Sequence, residues 1–336
     1  MMKAVLIREF GPVETLRVEE VPDPELAPGH VSIDVQATAA NFVDLLVVSG
    51  TYQFLPERPF VPGKLPAGIV TAVADDVTGV RVGDRVLTLA EQGGYAQKAV
   101  VKAADCFRIP DSLPFVQAAG MALAYDTAWF ALCDRGRAQA GDTVLVLGAS
   151  GGVGLAAVQL AKAYGLKVVA GVSSEARARV VLDAGADAWI DLSRENPRDS
   201  IREQVHALTD GKGADIVLDP LGGDFFDGAI RAVAWCGRLV VIGFAAGRIP
   251  TLKMNYVLLK NIEVSGVQVS DYRKRTPDRM AHCMSEIFRL YGEGRLVPAQ
   301  TRTYPLESAA QALAELQDRK ASARLILLPN GDPAAR

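Results

Sequence analysis

The chain has 336 residues, 49% of them hydrophobic and 22% charged, and a formal net charge of −3. A chain this long buries a substantial core and is expected to form two domains; its charge offers no basic surface for nucleic acid, and it holds no run of about 20 apolar residues for crossing a membrane. Cys106, Cys133, Cys236 and Cys283 are too widely spaced for a CxxC redox pair and too few for a disulfide framework, so each reads as a small buried residue.

Residues 1–7 run quickly into Arg8, Glu9 and Pro12, which reads as a strand rather than a secretory signal and leads to the expectation of a cytoplasmic protein. Further short strands are predicted at 31–37, 67–73, 85–89 and 95–101, with proline and glycine turns between them, as in a compact and mostly β domain. From residue 124 the rhythm changes. Strands at 143–147, 167–171, 188–190, 215–219, 238–242 and 263–266 alternate with helices at 152–164, 174–183, 200–208, 225–234 and 254–260. Strands with crossover helices in this order predict an α/β fold with a doubly wound parallel sheet, whose strands are apolar on both faces.

The remainder carries helices at 278–292 and 306–318 and a last strand at 324–328, and it is expected to return to the first domain. The expected domains are therefore a discontinuous one, 1–124 with 267–336, and an inserted one, 125–266, with catalysis in the cleft between them. The edge strand at 263–266 is a candidate for joining two sheets in a dimer.

Residues 144–154, Val-Leu-Val-Leu-Gly-Ala-Ser-Gly-Gly-Val-Gly, join a buried-strand run directly to a glycine-rich turn and an apolar helical pattern. A strand ending at Leu147 delivers the chain to the carboxyl edge of a parallel sheet. Glycines at 151, 152 and 154 permit a tight turn and close helix approach, and a helix beginning near Gly152 points unpaired N–H groups at an anion. Ser150, Gly151, Gly152, Val153 and Gly154 are thus the expected pyrophosphate-facing residues. The GxxxxGK[ST] run of a triphosphate-binding loop is absent, which favours a dinucleotide.

An Asp or Glu at the end of the second strand of such a unit selects NAD by bonding the adenosine ribose. Here the chain continues Gly171-Val172-Ser173-Ser174-Glu175-Ala176-Arg177, with small residues where the acid is expected. Ser173 and Ser174 offer hydroxyls to a 2′-phosphate, and Arg177 or Arg179 offers charge in a planar fork, so NADPH is the expected cofactor. Gly243 and Phe244 end another strand on the ligand side, where the glycine admits a nicotinamide, and Asp219 either organises its own turn or touches the ligand. His30, His206 and His282 are far apart and no Cys/His group accompanies them, so no metal site is expected.

Several segments together are more specific than the glycine turn: Asn41-Phe42-Val43-Asp44, Gly50-Thr51-Tyr52-Gln53, Pro62-Gly63, Gly83-Asp84-Arg85-Val86, Tyr125-Asp126-Thr127-Ala128, Gly148 to Gly154, Asp219 to Gly223, and Gly243-Phe244. In these the chain resembles the zinc-independent quinone oxidoreductase branch of the medium-chain dehydrogenase/reductase superfamily. The resemblance implies a split GroES-like β domain plus a Rossmann-like domain, often in a homodimer. Zinc alcohol dehydrogenases of that superfamily usually carry Cys where this chain has Asn41, His-Glu where it has Lys64-Leu65, and a further ligand near Ala124. Their structural-zinc lobe holds clustered cysteines, and the matching stretch here has Cys106 alone. Within the branch, Leu46 and Leu192 stand where Tyr is typical, and Leu65 where Glu is typical. The run Val43-Asp44-Leu45-Leu46 is nearer the form found in quinone-reductase-like proteins and enoyl-thioester reductases.

The activity this implies is metal-free hydride transfer from NADPH to a quinone or to the activated alkene of an α,β-unsaturated carbonyl compound. Such chemistry needs aligned donor and acceptor, exclusion of water, and a hydrogen-bond donor aimed at the oxygen that gains charge. Asn41 is the candidate donor, Tyr52 the candidate to stack on or bond the substrate, and Thr127 the candidate to orient the nicotinamide or its ribose. An enoyl-thioester reductase is the alternative consistent with Leu46, and a cofactor-binding structural or regulatory protein without substantial catalysis is the alternative outside enzymes. The expected partners are a small-molecule substrate and a second copy of the chain, with no nucleic acid and no membrane.

Overall fold

The computed structural model describes residues 1–318, 321 and 323–331. The amino-terminal elements are β1 (Met2–Val5), β2 (Val18–Val21), β3 (His30–Ala39), α1 (Phe42–Val48), β4 (Ala67–Val73), β5 (Arg85–Thr88), β6 (Lys98–Lys102), β7 (Cys106–Arg108) and α2 (Phe115–Trp129). There follow β8 (Thr143–Leu147), α3 (Gly152–Ala163), β9 (Lys167–Val172), α4 (Glu175–Asp183), β10 (Ala188–Asp191), α5 (Pro197–Leu208), β11 (Ala214–Asp219), α6 (Gly223–Ala232), β12 (Val233–Val241), α7 (Met254–Lys260) and β13 (Glu263–Gly266). The chain finishes with α8 (Val269–Arg275), α9 (Pro277–Gly292), β14 (Thr301–Pro305), α10 (Ala309–Gln317) and β15 (Arg324–Leu328). Two compact units result, Met1–Leu123 with the segment from Pro298 onward, and Ala124–Val297. Among the described residues no helix is long and apolar enough to cross a membrane.

The first unit is built around β3. Its residues alternate, so Val31, Ile33 and Val35 are fully buried together on one face and pack with Val70, Val86, Ala99 and Val101. The sheet order is β14-β15-β3-β4-β5-β7, with β6 also paired to β3. The carboxy-terminal β15 lies antiparallel to β3, Ile326 opposite Ala39 and Leu327 opposite Thr38. That pairing brings Arg324 to Asn41, two residues past the end of β3.

The second unit holds a six-stranded parallel sheet in the order β10-β9-β8-β11-β12-β13. Its inner strands are apolar on both faces because helices cover both, as in Val144 to Leu147, all buried. From β8 the chain winds outward through β9 and β10, then returns to the other side of β8 at β11. The reversal creates a crevice at the carboxyl ends of β8 and β11, where such sheets bind ligands.

Residues 267–297, expected with the carboxy-terminal tail, instead belong to the parallel-sheet unit. The reason is packing. Arg273 of α8 is buried against Asp126 at 2.5 Å, the Tyr272 ring lies 4.2 Å from that of Phe130, and Met280, Cys283, Met284, Ile287 and Leu290 line the buried face of α9. The predicted strand at 95–101 begins only at Lys98, since residues 93–95 bond the Val61–Gly63 loop instead of a strand. α1, α2, α8, β2, β7 and β14 were not anticipated as elements. α2 is apolar all round and so lacks the one-sided stripe that betrays a surface helix.

Candidate active site

In the second unit, β8 ends at Leu147 and Gly148 turns the chain with φ +59°. Gly151 precedes α3, and the first helical bond runs from the Leu155 N–H to the Gly151 carbonyl at 2.8 Å. The N–H groups of Gly152, Val153 and Gly154 therefore have no acceptor within the helix and carry its positive dipole end. A Cβ on Gly154 would sit 2.4 Å from the Gly148 oxygen and 2.6 Å from the Ala149 Cα, so only glycine lets the helix approach its turn this closely. Gly151 is exposed and Ser150, Gly152 and Val153 are half-buried. A pyrophosphate placed here would meet unpaired amides with no side chain in between, so these residues fit a dinucleotide.

β9 ends at Val172, and the exposed Ser173 and Ser174 follow. The Ser174 hydroxyl oxygen accepts the Arg177 N–H at 3.4 Å, capping α4 and placing exposed Arg177 in its first turn. Gly171 is enclosed, since a Cβ there would lie 3.3 Å from both Leu147 and Leu192. Leu192 thus packs against the strand end.

At the end of β11, Asp219 is fully buried and its Oδ1 accepts the N–H groups of Leu221 and Gly222, both at 2.9 Å. Burial raises its pKa, opposed by those two N–H groups. Of the two expectations for Asp219, organising the turn is what its geometry does. After β12 the Ile242 N–H reaches the Asp219 carbonyl at 2.8 Å, and a Cβ on Gly243 would lie 3.3 Å from the Pro220 oxygen. A Cβ on Gly222 would touch the Phe244 ring at 3.0 Å, so Gly243 and Phe244 lie close over the β11 turn. Residues 148–154, 173–177 and 243–244 accordingly share the carboxyl edge of one parallel sheet.

Thr127, on α2, is buried, and its hydroxyl donates to Asp126 Oδ1 at 3.3 Å. Asp126 is itself fully buried, and burial raises its pKa against the pull of the Arg273 guanidinium.

In the first unit, Asn41 leaves β3 and begins α1. Its side chain is 5% exposed; Nδ2 donates to the Ala39 carbonyl at 3.1 Å and Oδ1 accepts from the Arg324 guanidinium at 2.8 Å. A guanidinium only donates, so the amide is fixed with its carbonyl toward Arg324 and its N–H₂ as the donor end. Arg324 also donates from Nε to the Gly120 carbonyl at 3.1 Å. Asp44, three residues into α1, accepts the Asn41 N–H at 2.8 Å and the Tyr95 hydroxyl at 3.0 Å, both on Oδ2. Burial pushes the Asp44 pKa up to about 6, against the Asn41 N–H, the Lys64 charge, the Tyr95 hydroxyl and the Arg324 charge. Tyr52 is half-buried, its N–H held by the Leu46 carbonyl at 3.1 Å, with Phe54 edge-on at 6.3 Å and Lys64 over its ring.

Asn41 and Tyr52 thus belong to the first unit, and Thr127 with the glycine-turn residues to the second. Sequence reasoning named Asn41 without its supports. The Asn-x-x-Asp spacing at the start of a helix was a usable signal for Asp44; Arg324, 283 positions away, had none. Among the described residues no three or more His, Cys, Asp or Glu are grouped to hold a metal ion.

Residues 27–111 match the alcohol dehydrogenase GroES-like domain family, and residues 152–286 the family described as zinc-binding dehydrogenase. The quinone oxidoreductase-like protein 2 homolog of Nematostella vectensis is 35% identical over 329 residues, 97% of this chain and 88% of that protein. The chain belongs to the quinone oxidoreductase branch of the medium-chain dehydrogenase/reductase superfamily. Among solved quinone oxidoreductases, that of Pseudomonas syringae pv. Tomato DC3000 is 30% identical, with a TM-score of 0.91 over 98% of this chain and all 100% of that one. Escherichia coli quinone oxidoreductase complexed with NADPH is 26% identical, with a TM-score of 0.89 over 97% of this chain and 100% of the other. The quinone oxidoreductase architecture, a GroES-like domain with a Rossmann-like one, is the architecture of this chain.

Proposed function

We propose that the protein is an NADPH-dependent reductase that passes a hydride to a quinone or to the activated alkene of an α,β-unsaturated carbonyl compound. The observation that carries the reading is the edge of the parallel sheet. There the unpaired amides of α3 stand at the end of β8, while β9 is followed by Ser173 and Ser174, with Arg177 in the first turn of α4, and small residues take the place of the acid that would meet a ribose 2′-hydroxyl. The NADPH held by the Escherichia coli relative supports the same cofactor. When bound, that cofactor supplies the hydride. The residues of this chain do the rest: the α3 amides take the pyrophosphate, Ser173, Ser174 and Arg177 take the 2′-phosphate, and Gly243 and Phe244 leave room for the nicotinamide, which Thr127 helps to orient. Asn41, its amide set by Arg324, donates to the oxygen that gains charge, and Tyr52 packs on the substrate.

The reading includes a homodimer. Among the described residues β13 is paired only by β12, and α7, which precedes it in the chain, has no buried residue, with Leu258 76% and Leu259 72% exposed. A second copy placed there would cover both.

The test is a panel of a quinone, an enone and an enoyl thioester, followed by NADPH oxidation in wild type and Asn41→Ala. Turnover of the quinone or enone is expected, with Asn41→Ala losing about 10²-fold in kcat, the cost of one donor to a developing oxyanion, and little NADPH affinity. Unchanged kcat in Asn41→Ala removes the assigned role. Preference for the enoyl thioester moves the assignment to that class, and NADPH binding without turnover moves it to a non-catalytic protein.

A further inference from the structure

Lys64 is a buried charge that the chemistry above leaves unused. Its side chain is 6% exposed, a state lysine almost never adopts without a matching partner. One partner is the Glu91 carboxylate, 30% exposed, which accepts a hydrogen bond from Nζ and forms the ion pair. The other is Tyr52, whose ring centroid lies 5.6 Å from Nζ. Asp44, beneath the Asn41 N–H, feels the same positive charge, as it does that of Arg324. The ammonium therefore stands at a corner formed by Tyr52 and by the turn that carries Asn41. An ammonium has three N–H donors, and among the described residues Lys64 directs one of them to Glu91, so donor capacity remains beside Tyr52. A pair serving only to hold two loops would avoid the desolvation cost at the surface.

We propose that Lys64 is a further catalytic residue, whose ammonium touches the carbonyl oxygen of the acceptor, stabilises the charge that hydride addition places there, and then protonates it. The proposal rests on the reading that the acceptor sits beside Tyr52 and Asn41. Hydride addition forms a C–H bond at the β carbon of the enone. The displaced π electrons shift along the conjugated system, and the C=O π pair moves onto oxygen. An N–H of Lys64 gives its proton to that oxygen, and the resulting amine recovers one from water. The nicotinamide loses two electrons and the acceptor gains them. In a quinone, tautomerisation after the same addition yields the hydroquinone. Glu91 keeps the ammonium in place between turnovers.

The test uses the intact protein with NADPH and either benzoquinone or methyl vinyl ketone. Lys64→Met, close in shape and uncharged, is expected to lower kcat by about 10²-fold with the NADPH dissociation constant within about twofold of wild type. Lys64→Arg, which keeps a cation and donors, is expected to recover part of that loss. para-Nitrophenol bound in the presence of oxidised NADP reads the charge without turnover: wild type should favour the yellow phenolate over the phenol, and Lys64→Met should lose that preference. Should Lys64→Met not fold, Lys64→Gln carries the same comparison. Wild-type kcat in the uncharged variant, or reduced kcat with phenolate preference intact, overturns the proposal. If Asn41→Ala slows both acceptors and Lys64→Met slows neither, the acceptor site stands and Lys64 is outside it. If wild type reduces neither acceptor, both readings fall.

Discussion

Asp44 links the stability of the first unit to its candidate chemistry. Its carboxyl is buried, one oxygen holds the Asn41 N–H and the Tyr95 hydroxyl, and the other has no hydrogen-bond partner among the described residues. Its pKa rises from 3.8 to about 6 on folding, with burial the largest cause. Between those values the folded protein holds a proton that the unfolded chain has released. Stability from this group is therefore greatest at low pH and falls as pH rises from 3.8 to about 6, by up to ~3 kcal/mol. Asp44→Asn keeps an oxygen for both donors and removes the titration. Thermal unfolding across that pH window is predicted to show wild type losing stability relative to Asp44→Asn as pH rises; parallel curves would contradict the burial argument. Lys64 and Arg324 both lower the cost of the charged form, so the same corner that orients Asn41 also tolerates a buried carboxylate.

At the scale of elements, the α3–turn contact is the part of the proposed nucleotide site most sensitive to volume. Gly154→Ala forces a Cβ into the Gly148 and Ala149 backbone, and overpacking of this kind costs about 1–3 kcal/mol. Because the strain would move the amides proposed to take the pyrophosphate, NADPH affinity is predicted to fall about tenfold or more. Fluorescence titration measures it, and wild-type affinity in a folded Gly154→Ala protein would contradict the assignment of these amides. This turn was legible in the sequence because strand, glycines and helix are contiguous. So were β8, α7, β13 and β15, which occupy the predicted positions as short runs with clear boundaries. What failed to show has physical causes. α2 has no polar face to set a helical period, and α8 and α9 join the parallel-sheet unit through contacts such as Arg273 with Asp126, 147 positions apart. Arg324, the distant support of Asn41, likewise arrives through strand pairing of β15 with β3, which local pattern does not encode.

The whole molecule is expected to assemble through the second unit. β13 ends the parallel sheet, and the neighbouring α7 exposes Met254, Leu258 and Leu259, with Ile249 and Trp235 also exposed in that unit. A second copy on the proposed interface would cover apolar side chains of this kind, and an edge strand invites the same strand of that copy. A Leu258→Glu, Leu259→Glu variant is predicted to sediment as a monomer where wild type sediments as a dimer; unchanged sedimentation of the variant would place the interface elsewhere. The central claim concerns cofactor and chemistry together: without an acid at the end of β9, the serines and Arg177 select the phosphorylated dinucleotide for acceptor reduction. Its most direct test is steady-state oxidation of NADPH and of NADH by the wild-type protein with one quinone or enone under the same conditions. The prediction is a kcat/KM for NADPH about tenfold or more above that for NADH, the scale of a charge-assisted phosphate contact; equal or better efficiency with NADH would contradict it.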